Sequence, residues 1–157
     1  MVTSSKSESK SIQLEKLKGR GVLVVGDVGL DEYVLGHVRR ISPEAPVPVL
    51  EVESEDLRLG LSANVVQNIT ALGGEAYLVS VVGQDERAKT LRDMLAAQRV
   101  HIEGLVVDST RPTTRKLRVM SGQHHIVRVD YEQKKYLSES VELQVVQRSS
   151  ELRSKVQ

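Results

Sequence analysis

AYLVSVV, residues Ala76 to Val82, is apolar at every position but Ser80 and stops at Gly83. A short run of that kind suits a strand covered on both faces, as in a parallel α/β sheet. Upstream, VLVV (Val22 to Val25) ends at Gly26 in the same way. Between the two runs Leu61, Val65, Ile69 and Leu72 fall at helical spacing, and Gly73 and Gly74 can stop that helix. This predicts a helix whose apolar stripe faces the sheet. Downstream, Asp85 is a plausible N-cap for DERAKTLRDMLAAQ, with Ala88, Leu91, Met94 and Leu95 as its stripe. Ile102 to Val107 then reads as a third strand. Strand, helix, strand, helix, strand implies right-handed βαβ units, so the fold class is α/β with a mainly parallel sheet.

Two stretches break the alternation. Tyr33 to Leu59 contains ISPEAPVPVLEVE, whose prolines forbid a helix from Ser42 to Pro48. Val47 to Val52 can be extended, and Pro48 favours an edge strand there. Thr113 to Asp130 reads as two polar strands around Ser121-Gly122-Gln123. Period-two alternation puts Thr114, Lys116 and Arg118 on one face, and Arg115, Leu117 and Val119 on the other. Together the two stretches predict a small accessory sheet. Residues 1–20 read as a flexible tail with a short helix from Ile12 to Lys18. Residues 21–157 form one domain, closed by a helix with Val141, Val145, Val146 and Leu152 at its apolar positions. A three-stranded parallel sheet is small, and its last strand is expected to lack helix-covered neighbours.

Composition narrows the function classes. A formal net charge of +1 gives no global attraction to nucleic acid or membrane. With four tyrosines and neither Phe nor Trp, the core must be aliphatic and base-stacking platforms are scarce. The absence of cysteine excludes disulfides and thiolate zinc sites. Met1 to Ser11 has no apolar h-region, and no run approaches the ~18 residues of a spanning helix. The expectation is a soluble, cytoplasmic protein.

Four strings in fixed order carry a resemblance: GDVGLDEYVLG, RRISPEAPVPVLEVE, RLGLSANVVQNITALGG and VVGQDERA, followed by RPTTRKLRVMS and IVRVD. Over roughly Val22 to Asp130 the chain resembles the ribokinase-like (PfkB) carbohydrate kinases. Within that family it is most similar to those that phosphorylate D-glycero-D-manno-heptose 7-phosphate for ADP-heptose and lipopolysaccharide core synthesis. The resemblance implies a mainly parallel sheet flanked by helices, with a small β-lid at about 33–59 and 113–130. It implies an amino-terminal half, with the carboxyl-terminal half absent. It also implies ATP and Mg²⁺ as cofactors, a sugar phosphate as partner, and either a homodimer through the lid or a complementing carboxyl-terminal half.

Asp27 and Asp31 follow the first strand at its carboxyl end, where ligands bind in open α/β sheets. A carboxylate there orients sugar hydroxyls; the resemblance points to Asp31, while the alternative for Asp27 is that it simply caps a turn. Gly60 and Asn64 match the family's sugar-binding Gly-Gly-x-x-Asn stretch. The second glycine of that stretch is Leu61 here, which strains the backbone if φ is positive and intrudes on the pocket. Gly29 stands where the family carries a bulkier residue, and Arg87 or Ala88 falls where it often has glycine. Lys116, Arg128, Arg118 and Arg40 are candidates for a sugar phosphate, the alternative being solvated or edge-protecting charges. His124 and His125 are adjacent on a strand and point to opposite faces, so they do not share a metal.

The family's Gly-Ala-Gly-Asp motif, whose aspartate acts as catalytic base, does not occur, nor does a G-x-x-x-x-G-K-[ST] loop. Val24 to Gly29 is not a dinucleotide loop either, which argues against a nucleotide-dependent oxidoreductase. No catalytic, cofactor-binding or metal-ligating residue is assigned. The expectation is a sugar-phosphate kinase half, inactive alone, or a non-catalytic sugar-phosphate-binding or dimerisation module.

Overall fold

The computed structural model describes residues 14–156. The short helix expected from Ile12 to Lys18 reduces to one 3-10 turn at Leu14–Leu17; Ile12 lies outside the described residues. The strands are β1 (Gly21–Val25), β2 (Val28–Ile41), β3 (Pro48–Leu61), β4 (Glu75–Val82), β5 (His101–Val107), β6 (Thr114–Ser121) and β7 (His124–Tyr131). The helices are α1 (Ser62–Ala71), α2 (Glu86–Ala97) and α3 (Glu139–Arg153).

The two buried runs that decided the fold class are β1 and β4. With β5 they form a wholly parallel sheet in the order β1-β4-β5. Alternation along β4 divides the core in two. Ala76, Leu78 and Val82 face α1 and α2, where they join Ala63, Val66, Leu91 and Leu95. Tyr77 and Val79 face α3, where they meet Leu152, with Leu23 and Val145 alongside. Each of these fully buried leucines contributes on the order of 2 kcal/mol by burial. β5 is covered by α2 on one face and α3 on the other, and it stays an edge strand whose one partner among the described strands is β4. Gly104 allows this: a Cβ there would stand 2.5 Å from the Leu78 carbonyl and 2.9 Å from Leu152.

The accessory sheet has the order β3-β2-β6-β7, with β2 and β6 parallel and the outer pairs antiparallel. Proline-bearing β3 is an edge strand, as the sequence suggested. β2 starts earlier than predicted, at Val28, and β3 runs on to Leu61, because Val28, Leu30 and Leu59 at their base belong to the same core as α1 and α2. Consequently Asp31 lies within β2 and not in a loop after β1.

The apolar stripe predicted for α1 is corrected. Leu61, Val65 and Leu72 are exposed, and the buried residues are Ala63 and Val66, with Ile69 packed beside them. Leu61 ends β3 and precedes the helix, so it never was part of the helical face. The inward positions are set by close approach to β4, which small Ala63 permits. In α2 the predicted stripe does face inward: Ala88, Leu91 and Leu95 are buried and Met94 is packed against them. In α3 Val141 and Leu152 are buried and Val145 is packed, while Val146 is 57% exposed.

Candidate functional site

The site grows from two junctions at the carboxyl ends of the parallel strands. At the first, β1 turns through Gly26-Asp27 into β2, and α1 starts beside it. The Ser62 hydroxyl donates to the Asp27 carbonyl at 2.6 Å, and the Ser62 N–H donates to the same oxygen at 3.0 Å. This fixes the Asp27 turn against the helix start. The residue between strand and helix is Leu61, with φ 55° and ψ −131°. That backbone conformation is close to glycine-only territory and costs a leucine on the order of 1–3 kcal/mol.

At the second junction, β5 leads through residues 108–113 into β6. Asp85 caps α2 by accepting the Ala88 N–H at 2.8 Å, and it also accepts the Thr113 N–H (2.8 Å) and hydroxyl (2.7 Å). The Gly83 N–H donates in turn to the Thr113 hydroxyl oxygen at 3.0 Å. Burial pushes the Asp85 carboxyl up, but these donors outweigh it and hold it below the usual carboxylate range. The same cap thereby anchors the first residue of the lid. Asp108 is buried and accepts the Thr110 hydroxyl and N–H at 2.7 and 3.0 Å, and Arg111 Nε at 2.8 Å. The Thr110 donors, then Arg111, hold its carboxyl low against the opposing effect of burial.

Between these junctions lies a cavity of about 560 Å³, walled by Asp27, Leu61, Arg111, Thr114 and Lys116 and closed by residues 132–136. Of the residues singled out in the sequence, the cavity brings together Asp27 and Lys116. Asp31 stands next to it on the same sheet face, since Gly29, Asp31 and Tyr33 pair with Thr114, Lys116 and Arg118. The Arg118 guanidinium donates to Asp31 Oδ1 at 2.5 Å, and that contact raises the arginine above its ordinary value. Arg118 and Arg58 also lie over the Tyr33 ring, at 5.2 and 4.8 Å from its centre. Gly60 is glycine for a visible reason: a Cβ on it would meet Asp31 Oδ2 at 2.8 Å. Thus Gly60 makes room for the carboxylate and Arg118 holds it.

The other candidates stand apart. Asn64 is exposed on the first turn of α1 and lines a separate depression with Arg58, Gln67 and Met94. Arg128 shares the Arg118 face of the lid, directly opposite it, but is paired with Asp130 at 2.9 and 3.1 Å. Arg40 lies near the far end of β2, up to roughly 36 Å from Gly29 at ~3.3 Å per residue. On the opposite face of the lid, Arg115 bonds Glu32 at 2.9 Å, while Arg87 of α2 meets the other Glu32 oxygen at 3.0 Å. The Arg87 contact is an ion pair without hydrogen-bond alignment.

Sequence reasoning did not single out Arg111, Thr113 or Lys135. A signal was present in Asp108-Ser109-Thr110-Arg111, whose aspartate followed two residues later by threonine is the pattern of an Asx turn. Among the described residues no three His, Asp or Glu side chains are grouped to hold a metal by themselves.

Residues 22–152 match the family described as pfkB family carbohydrate kinase. The chain is 50% identical over 114 residues to the bifunctional protein HldE of Caulobacter vibrioides, covering 73% of this chain and 24% of that protein. It is 49% identical over 119 residues to the D-beta-D-heptose 7-phosphate kinase of Bordetella bronchiseptica, covering 76% of this chain and 38% of that one. The chain thus spans between a quarter and two fifths of the length of these relatives. In fold it is similar to Arabidopsis thaliana ribokinase complexed with ribose and ATP, with TM-score 0.60, 19% identity, and 83% and 43% of the two chains covered. It is also similar to Cryptococcus neoformans ribokinase in complex with ADP, with TM-score 0.55, 20% identity, and 79% and 38% covered. A βαβαβ sheet carrying a strand-built lid, matched by this family over most of its length, leaves one assignment: the chain belongs to the pfkB family of carbohydrate kinases.

Proposed function

We propose that this chain forms the sugar-holding side of a sugar-phosphate kinase site, its acceptor being a heptose 7-phosphate or a close analogue. The observation that carries the reading is the cavity at the carboxyl ends of β1 and β5, where carboxylate and cationic side chains face each other. Asp27 and Asp31 orient hydroxyls, and Gly60 admits the Asp31 carboxylate. Lys116 supplies a cationic contact and Arg118 holds the Asp31 carboxylate in place, whereas Asn64, Arg128 and Arg40 stand away from this cavity and fall outside the proposed contact set. The phosphoryl donor is ATP with Mg²⁺, handled by residues outside this sequence in a complementing carboxyl-terminal half. In this reading the chain alone is inactive, since its sequence holds no Gly-Ala-Gly-Asp motif to supply the catalytic base. It acts in the cytoplasm, in ADP-heptose formation for lipopolysaccharide, and pairs as a homodimer through the lid. No helix among the described residues is long and apolar enough to cross a membrane.

Leu61 favours a second reading, a non-catalytic sugar-phosphate-binding or dimerisation module. Its side chain occupies cavity wall where a glycine would leave space. One experiment addresses both. The chain is titrated calorimetrically with D-glycero-D-manno-heptose 7-phosphate and with ATP, then assayed for phosphoryl transfer alone and with a carboxyl-terminal half from a relative. Sugar-phosphate binding with transfer only in the mixture supports the kinase half. Binding without transfer in either supports the module. Transfer by the chain alone refutes both.

A further inference from the structure

We propose that Arg111 is the anion anchor of the cavity, gripping the phosphate of the sugar together with Lys116 and Lys135. This inference rests on the acceptor-site reading above and adds to it a residue that no motif assigned. Arg111 is 17% exposed, and the Asp108 carboxylate that holds it is 5% exposed. Asp108 is itself fixed by Thr110, so the guanidinium is oriented from behind by an ionised, buried partner. One terminal nitrogen, Nη2, reaches the carbonyls of Lys135 and Tyr136, at 3.4 Å each. A guanidinium carries five N–H donors, so the two on Nη1 stay uncommitted among the described residues, beside the cavity that Arg111 lines. A rigid fork with a spare edge is the geometry that recognises phosphate oxygens.

Charge points the same way. The cavity lining includes four cations, Arg111, Lys116, Lys134 and Lys135, against the two anions Asp27 and Glu132. Lys134 is paired with Glu132, whereas Lys116 has no ion pair among the described residues. A neutral sugar has no use for such an excess, while a phosphomonoester is attracted by it. The competing explanation is that Arg111 merely braces residues 132–136 over the cavity.

The test compares heptose 7-phosphate with the unphosphorylated heptose by calorimetry, in the unsubstituted chain and in Arg111→Gln and Arg111→Lys. Arg111→Gln is expected to weaken the phosphorylated sugar by about ten- to a hundredfold while leaving the unphosphorylated one within about twofold. Arg111→Lys should fall between. An equal loss for both sugars means a brace and overturns the assignment. An unchanged preference overturns it too while leaving the acceptor-site reading standing, whereas binding of neither sugar by the unsubstituted chain removes both. If Arg111→Gln does not fold, the Nε–H resonance of Arg111 in the unsubstituted chain decides. It should shift on addition of inorganic phosphate and of heptose 7-phosphate, and a resonance unmoved by either overturns the proposal.

Discussion

Leu61 Cδ1 lies 3.3 Å from the point at which a side chain on Gly29 would begin. The two residues are one step out of register across β2 and β3, since Gly29 pairs with Gly60 and Val28 with Leu61. The resemblance to the carbohydrate kinases implies glycine at the position of Leu61 and a bulkier residue at that of Gly29. In this chain Leu61 covers the surface that Gly29 leaves bare. That fills the wall but places a leucine at positive φ.

Leu61→Gly should therefore release backbone strain of about 1–3 kcal/mol, partly offset by ~0.5–1 kcal/mol of glycine's extra chain entropy and by lost packing. The expected result is a melting temperature equal to or above that of the unsubstituted chain, with tighter binding of the sugar phosphate. Thermal unfolding and calorimetry check it. A folded variant with no gain in affinity would mean that Leu61 obstructs nothing.

Gly60→Ala puts a methyl group 2.8 Å from Asp31 Oδ2. The carboxylate can escape only by leaving Arg118, so stability should drop by about 1–2 kcal/mol, the worth of a charge-assisted bond. Sugar affinity should fall alongside. A crystal structure of the variant with the Asp31–Arg118 contact intact would contradict this account.

Asp31 and Arg118 are coupled across strands and are 24% and 19% exposed. Asp31→Asn, Arg118→Met and the double variant, measured by urea denaturation, should give a coupling energy of roughly 1 kcal/mol, above that of a fully exposed pair. Additive effects would show that the pair contributes orientation without stability.

Asp85 and Asp108 titrate below the ordinary carboxylate range in the folded chain. The unfolded carboxyls take up protons near pH ~3.9, before the folded ones do. The stability these groups confer is thus complete above that value and is lost as pH falls through their lower folded values. Asp85→Ala should lower stability at neutral pH by about 1–2 kcal/mol, through the cap and the Thr113 contacts. It should also flatten the acid limb of the stability–pH curve. An acid limb identical to that of the unsubstituted chain would exclude Asp85 from the effect.

The lid face opposite Asp31 leaves Val127 and Val129 exposed at 47% and 36%. If the proposed homodimer forms there, Val127→Lys with Val129→Lys should shift sedimentation toward the monomer without lowering the unfolding midpoint by more than a few degrees. A monomer before substitution would rule the interface out.

The parallel sheet was legible because its physics is local. Buried strands between helices need unbroken apolar runs, and Val22–Val25 and Ala76–Val82 supply them. The lid hairpin around Gly122 and the shared face of Thr114, Lys116 and Arg118 followed from alternation alone. The stripe at Leu61, Val65 and Leu72 misled, because spacing identifies an apolar face but not the side from which a sheet approaches. What no pattern contained was the junction chemistry. Asp85 and Thr113 are twenty-eight residues apart and Asp31 and Arg118 eighty-seven. Contacts at such separations exist only once strand register has been set. The sequence determined which segments are strands and which are helices; the parallel pairing of β2 with β6, with Thr113 at the head of β6 held by the Asp85 cap, decided which charges meet.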